Sequence, residues 1–137
     1  MNYLNGPNSF ALDSSILIRN FYLKDEKTEH LIKKGVTNLV ALSECYYIIC
    51  RKEDNQTALN YINELMETLR IISTEQIVKI AGQFKCKFPI ALADCWTLAT
   101  AFALKIGALF AFKERELERN FQDIVKEVDI QFFEDLS

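Results

Sequence analysis

Apolar residues along this chain alternate between two rhythms. Short continuous runs, SFAL, ALFAF and DIQFF, have the length of buried strands. Between them lie longer stretches in which apolar residues recur three and four positions apart, as on one face of a helix. SFAL predicts a first strand with Asp13 at its end, and SILIRNFYL predicts the helix behind it; the residues up to Pro7 read as a loose lead-in. A polar-faced helix is expected over 25–34, stopped by Gly35, followed by a very short strand at Val36-Thr37. Asn38 suits the N-cap of a strongly apolar helix over 39–51. Leu59, Ile62, Leu65, Met66 and Leu69 mark an amphipathic helix from about 55 to 68, and LRIIS is the next strand. Thr74 is expected to cap a helix through Gly82, with Glu75 in its first turn. Pro89 heads an apolar helix over 90–105 that Gly107 is expected to end. ALFAF reads as a buried strand, KERELER as a charged short helix or turn, and DIQFF as the closing strand. Strands alternating with helices predict a parallel α/β sandwich. In such sheets ligands bind beyond the carboxyl ends of the strands.

Three acids interrupt the apolar pattern. Asp13 is the only charge between Asn5 and Ile18, Glu44 the only one between Val36 and Cys50, and Asp94 the only one between Ile90 and Leu104. An unpaired carboxylate in apolar surroundings costs several kcal/mol or gives up its charge. Three such acids are best explained if they gather where a cation compensates them, and a divalent metal ion prefers carboxylate oxygens. That arrangement points to metal-dependent chemistry on phosphates.

Each acid also has a plainer reading. Asp13 can cap the helix that follows it. Glu44 and Asp94 lie inside helices that offer no basic partner three or four positions away, so the plain reading for them is a salt bridge to a distant Lys or Arg. Thr97 is placed to give Asp94 a hydrogen bond. Glu114, amid the charges of FKERELE, is either a solvated helix face or an acid at the end of a core strand.

Composition narrows the choice. At 137 residues, half of them hydrophobic, the chain fits one domain spanning 1–137. Its net charge of −3 gives no general basic field, so nucleic acid would have to be met by a local patch or through metal ions. Cys45, Cys50, Cys86 and Cys95 form no C-x-x-C pair, and His30 stands apart from them, which disfavours a structural zinc site. They read as reduced thiols of a cytoplasmic protein. No secretory signal is read at the N-terminus, and the longest apolar stretch contains Asp94, so no membrane span is expected. His30 sits in a polar stretch, no glycine-rich loop follows a strand, and nothing suggests a sugar groove. Ser-His-Asp catalysis, P-loop chemistry and glycoside hydrolysis therefore lack support.

FALDSSILI, LVALSECYYII, ALADCWTLATAFAL and GALFAFKERELE, in this order, resemble the PIN domain, the fold of VapC-type toxin ribonucleases and of several RNA-processing nucleases. The resemblance covers about residues 9–133. It implies a three-layer α/β/α sandwich with a central parallel sheet and the first strand in the middle. It implies that Asp13, Glu44 and Asp94 bind Mg²⁺ or Mn²⁺, with Ser15 supporting the first of them. The family's fourth acid stands in a Thr-x-Asp pattern; here the aligned residues are Phe112, Lys113 and Glu114. Glu114 thus takes the acid's place, one methylene longer and without the hydroxyl, and Glu116 is the alternative. Lys113 and Arg115 flank it as candidate contacts to RNA phosphates, with Arg19 and Lys24 as further candidates. The function implied is metal-dependent hydrolysis of RNA by a homodimer or higher homo-oligomer, with an antitoxin protein as partner if the chain is a toxin. Two other readings stand beside it. One is a catalytically silent PIN-like module that binds RNA or protein, which the Phe112 and Glu114 departure favours. The other is an α/β domain whose acids form structural ion pairs.

Overall fold

Five short strands lie parallel in one sheet: β1 (Phe10–Leu12), β2 (Val36–Thr37), β3 (Arg70–Ile71), β4 (Gly107–Phe110) and β5 (Ile130–Phe132). Their order is β3-β2-β1-β4-β5, with β1 central. The computed structural model describes residues 9–136, and the lead-in to Pro7 lies outside them. Every connection between strands carries helix, as parallel pairing requires.

Alternation along the two middle strands divides the core into two layers. Leu12 and Leu109 point to one face, where they meet α1 (Ser14–Leu23), α2 (Glu26–Lys34), α3 (Leu39–Lys52) and α4 (Asn55–Thr68) through Ile16, Leu17, Ile32, Ile49 and Leu65. Ala11, Ala108 and Phe110 point to the other. There they meet α5 (Thr74–Lys87), α6 (Leu92–Leu104), and the short helices α7 (Arg115–Arg119) and α8 (Phe121–Ile124). Both faces are thus covered by helices, and the expected α/β/α sandwich is what forms. Fully buried side chains such as Leu12, Ile16, Leu17 and Leu98 each contribute about 1.5–3 kcal/mol from burial.

Local signals hold at several boundaries. Asn38 caps α3, its Oδ1 accepting the Ala41 N–H at 2.8 Å. Gly35 ends α2 for a steric reason: a Cβ there would come within 2.5 Å of Leu12 Cδ1 and 2.8 Å of the Leu31 carbonyl. Other boundaries differ from expectation. α5 continues past Gly82 to Lys87. A glycine inside a helix costs only about 1 kcal/mol, and the next turn buries Phe84 against Phe88 and Phe102. Ser73, not Thr74, is the residue before α5, and its side chain makes no capping bond. α6 begins at Leu92 and ends at Lys105 in the left-handed region (φ 57°), so Gly107 opens β4 rather than closing the helix. α8 had no counterpart in the pattern reading. Among the described residues all four cysteines are free thiols, and no helix is long and apolar enough to cross a membrane.

Candidate active site

The carboxyl ends of β1 and β4 lie side by side at the middle of the sheet. The Asp13 N–H extends their pairing by donating to the Leu109 carbonyl at 3.0 Å. The Asp13 carboxylate then serves two elements at once. Its Oδ2 accepts the Ser15 N–H at 3.1 Å and so caps α1, while its Oδ1 accepts the Thr97 hydroxyl at 3.0 Å. Thr97 lies one turn beyond Asp94 on α6, so this bond draws the Asp94 turn over the strand end. The Ser15 hydroxyl in turn accepts the Ala111 N–H at 2.9 Å and fixes the chain just past β4.

A buried polar link sets the position of α3. Asn38 Nδ2 donates to Thr100 Oγ1 at 3.1 Å, and Thr100 donates to the Trp96 carbonyl at 2.8 Å. With its start docked on α6, α3 brings Glu44 toward α1, where Glu44 accepts a hydrogen bond from the Ser14 hydroxyl. Glu114 occupies the N-cap position of α7.

Asp13, Glu44, Asp94 and Glu114 all line one cavity of about 470 Å³. Asp13 and Asp94 are 4% and 6% exposed, Glu44 is half-buried, and Glu114 is exposed at the rim. Among the described residues none of the four forms a salt bridge, so the structural ion-pair reading finds no partner cation for them. One oxygen of Asp94, Oδ2, is buried with no hydrogen-bond partner. Burial pushes the Asp94 carboxyl up to about 8, with the charges of Asp13, Glu114, Glu44 and Glu116 adding to the effect in that order. Burial also raises Asp13, to about 6; the bonds from Ser15 and Thr97 oppose the rise and the Glu44 charge reinforces it. Glu114 is raised by burial and then by Glu44 and Glu116. The acids sense one another, yet among the described residues no three acidic, histidine or cysteine side chains are drawn tightly enough to close around one ion.

The other candidates fall as follows. Glu116 is exposed in the first turn of α7, outside the cavity lining but near enough to act on Asp94 and Glu114. Lys113 is directed elsewhere: its ammonium pairs with Asp135 at 3.1 Å, and its N–H donates to Glu134 Oε1 at 3.2 Å. Arg115 is exposed and does not line the cavity. Lys24 ends α1 and lies over the Tyr61 ring, away from the acids. Arg19 does line the cavity, as does Lys52. The reading of the sequence did not single out Lys52, Tyr22, Ser14 or the Thr97–Asp13 bond. The polar Ser14 beside Asp13 was the available signal for one of these. The others depend on which helix faces meet, and spacing within a single helix does not reveal that.

Comparison with known proteins identifies the family and the fold. The family model described as PIN domain matches residues 10–120. Among curated proteins none matches the chain. Solved structures with the same fold include DNA-bound VapBC from Salmonella typhimurium, with a TM-score of 0.72 at 15% identity, covering 92% of this chain and 98% of that one. VapBC-1 from nontypeable Haemophilus influenzae aligns with a TM-score of 0.62 at 19% identity, over 90% of this chain and 97% of that one. Mycobacterium tuberculosis VapC20, described as a sarcin-ricin loop cleaving toxin, aligns with a TM-score of 0.59 at 11% identity, over 79% and 92%.

Proposed function

The chain belongs to the PIN domain family, and from that premise we propose that it is a single-domain, metal-dependent endoribonuclease. Its site acids are Asp13, Glu44, Asp94 and Glu114, with Ser15 as support and Glu116 as an outlying charge. The observation that carries this reading is Asp94: a buried carboxyl group with an unpartnered oxygen, sharing its cavity with three further acids and, among the described residues, in no salt bridge. An all-oxygen donor set of this kind suits Mg²⁺ or Mn²⁺. Such an ion, when bound, neutralises the phosphate and leaving oxygen and lowers the pKa of a bound water.

The chain's own residues orient and restrain. Thr97 and Ser15 fix both oxygens of Asp13 and leave lone pairs free on each. Ser14 holds Glu44 at the cavity lining through its hydroxyl. Glu114 reaches in from the rim, its extra methylene letting its backbone stand back, and Phe112, 54% exposed, lines the same cavity. The Phe112 and Glu114 departure thus leaves four acids around one cavity, which supports the active reading over the silent module. Arg19 and Lys52, which line the same cavity, are better placed than Lys113 or Arg115 to meet flanking phosphates.

We further propose that the protein is a cytoplasmic toxin held by an antitoxin, a role supported by its structural similarity to VapBC complexes. Homo-oligomer formation is supported by Leu39, Tyr47 and Leu92, each about half exposed around a shallow depression beside Glu44. The deciding experiment is cleavage of RNA by the purified protein with Mn²⁺, with chelator, and by Asp94→Asn. Cleavage that needs Mn²⁺ and Asp94 supports the reading. RNA left intact by the Mn²⁺-loaded protein, across a broad set of transcripts, sinks it in favour of the silent module.

A further inference from the structure

The cavity that holds the acids is also lined by residues of different chemistry. Tyr22 and Phe112 line it 42% and 54% exposed, and Ile18 adds apolar surface. Isolated exposed apolar residues are ordinary, but several gathered around one cavity mark a binding surface. Tyr22 is held rather than loose. Its hydroxyl donates to Glu53 Oε2 at 2.9 Å, its ring meets Phe21 edge-on at 4.8 Å, and the Lys52 ammonium lies 5.7 Å from its centroid. Arg19 also lines the cavity; its buried Nε makes no hydrogen bond, pairing with Asp25 as an ion pair at 3.5 Å, and its guanidinium lies 4.5 Å from the Phe133 centroid. Aromatic faces next to fixed positive charges, within one cavity of an acid cluster, match the alternation of bases and phosphates in a single nucleic-acid strand. A duplex would keep its bases stacked inside and offer these rings nothing to receive.

We propose that Tyr22 and Phe112 are base-stacking platforms that select unpaired RNA, with Arg19 and Lys52 holding the phosphates between the stacked bases. This rests on the nuclease reading for its substrate, but it is a claim about binding. Phe112 then has its own use: it replaces the family's hydroxyl with a surface for the nucleotide next to the scissile bond. Because every base has a π-face, the platforms select for unpaired structure more than for sequence.

The test uses two 12-nucleotide RNAs of equal charge, an adenine homopolymer and its fully abasic counterpart. Binding to the cleavage-silent Asp94→Asn protein is followed by fluorescence anisotropy. The adenine strand should bind about a hundredfold more tightly than the abasic one. Tyr22→Leu and Phe112→Leu, made in that background, should each cut this preference about tenfold and leave abasic binding within twofold. Tyr22→Phe and Phe112→Tyr should keep the preference. In the wild-type background, the two Leu variants should raise KM for unpaired RNA with little change in kcat. Equal affinity for the two RNAs, or equal weakening of both by the Leu variants, overturns the proposal. Leu variants that become monomeric with base preference intact would assign the face to a second copy and also overturn it. Base preference without any cleavage by the wild type would leave this inference standing while the nuclease reading fails.

Discussion

Two pairs of acids meet above the middle of the sheet, and the protein holds them in different ways. Asp13 and Asp94 form the floor. They have short side chains on rigid backbone, one at the end of the central strand and one inside an apolar helix, and both are almost wholly buried. Glu44 and Glu114 form the rim, with longer side chains, one half-buried on α3 and one exposed ahead of α7. Floor acids cannot turn away from one another, so the cost of keeping them charged is stored in the fold. Rim acids can turn toward solvent or be steered by a neighbour, as Ser14 steers Glu44. The floor therefore fixes where a cation sits, while the rim adjusts how well it is held.

That division predicts its largest effect at Asp94. Asp94→Asn removes a charge from the floor without changing the shape of α6, and RNA cleavage should fall by about a thousandfold, measured as initial rate at saturating Mn²⁺. Glu114→Gln should cost far less under the same conditions. Comparable losses from the two substitutions would erase the distinction between floor and rim.

The floor also predicts the pH dependence of stability. Burial pushes the Asp94 carboxyl in the folded chain up to about 8, from an ordinary value of about 3.8. Below about pH 4 the carboxyl is protonated in both folded and unfolded states, and the stability contributed by its raised pKa is fully present. As pH rises toward 8 the unfolded chain releases a proton that the fold still keeps, and that contribution is lost. Asp94→Asn should therefore be more stable than the wild type in chelator at pH 8, with Tm higher by about 5 °C or more, and nearly equal to it at pH 4. Asp13, near 6, adds a smaller loss of the same sign. Mn²⁺ must displace these protons, so its apparent affinity should climb between pH 5 and 8. Thermal denaturation with and without Mn²⁺ across that range checks both. A wild type whose metal-free stability rises between pH 5 and 8 would contradict the titration of the floor.

How much of this was legible in the sequence follows the same line. Asp13, Glu44 and Asp94 announced themselves because each stood alone in an apolar run, and a lone charge there is conspicuous whatever surrounds it in three dimensions. Strand order and the central position of β1 came with the family resemblance rather than from periodicity. Gly82 reads as a stop for α5, whereas the helix continues to bury Phe84, whose partner Phe102 lies on α6 and is met only once the two helices pack. Lys113 illustrates the limit of adjacency. Next to Glu114 in sequence, it is drawn off by Asp135 near the end of the chain, and no local spacing encodes that pairing. Spacing places Thr97 to bond its own-helix neighbour Asp94, but it serves Asp13, 84 positions away.

Between Glu114 and Glu116 the rim offers a comparison of intermediate size. Glu114 lines the cavity and Glu116 does not, although both charges reach Asp94. Glu114→Gln should reduce cleavage about tenfold at limiting Mn²⁺ and less at saturation, and Glu116→Gln only about twofold. Glu114→Asp should also be impaired, because the shorter arm falls back from the cavity. Near-wild-type rates for all three would leave the site with three acids and α7 as a solvated turn.

A smaller effect than that of Glu114 belongs to the hydroxyl that steers the rim. Ser14 is 3% exposed and gives its hydrogen bond to Glu44. In Ser14→Ala the serine group vanishes together with its need for a partner, and Glu44, half-buried, can take up water instead. The stability cost should accordingly be about 1 kcal/mol or less. What is lost is orientation: Glu44 then samples positions outside the cavity, and a metal ion must recruit it on binding. Ser14→Ala should therefore lower cleavage a few-fold when Mn²⁺ is limiting and approach the wild-type rate when it is saturating. Titrating Mn²⁺ at fixed RNA separates this from a direct role. A rate that stays low at saturation, matching Glu44→Gln, would mean that the hydroxyl itself meets the substrate or its ion, and that Ser14 belongs to the floor.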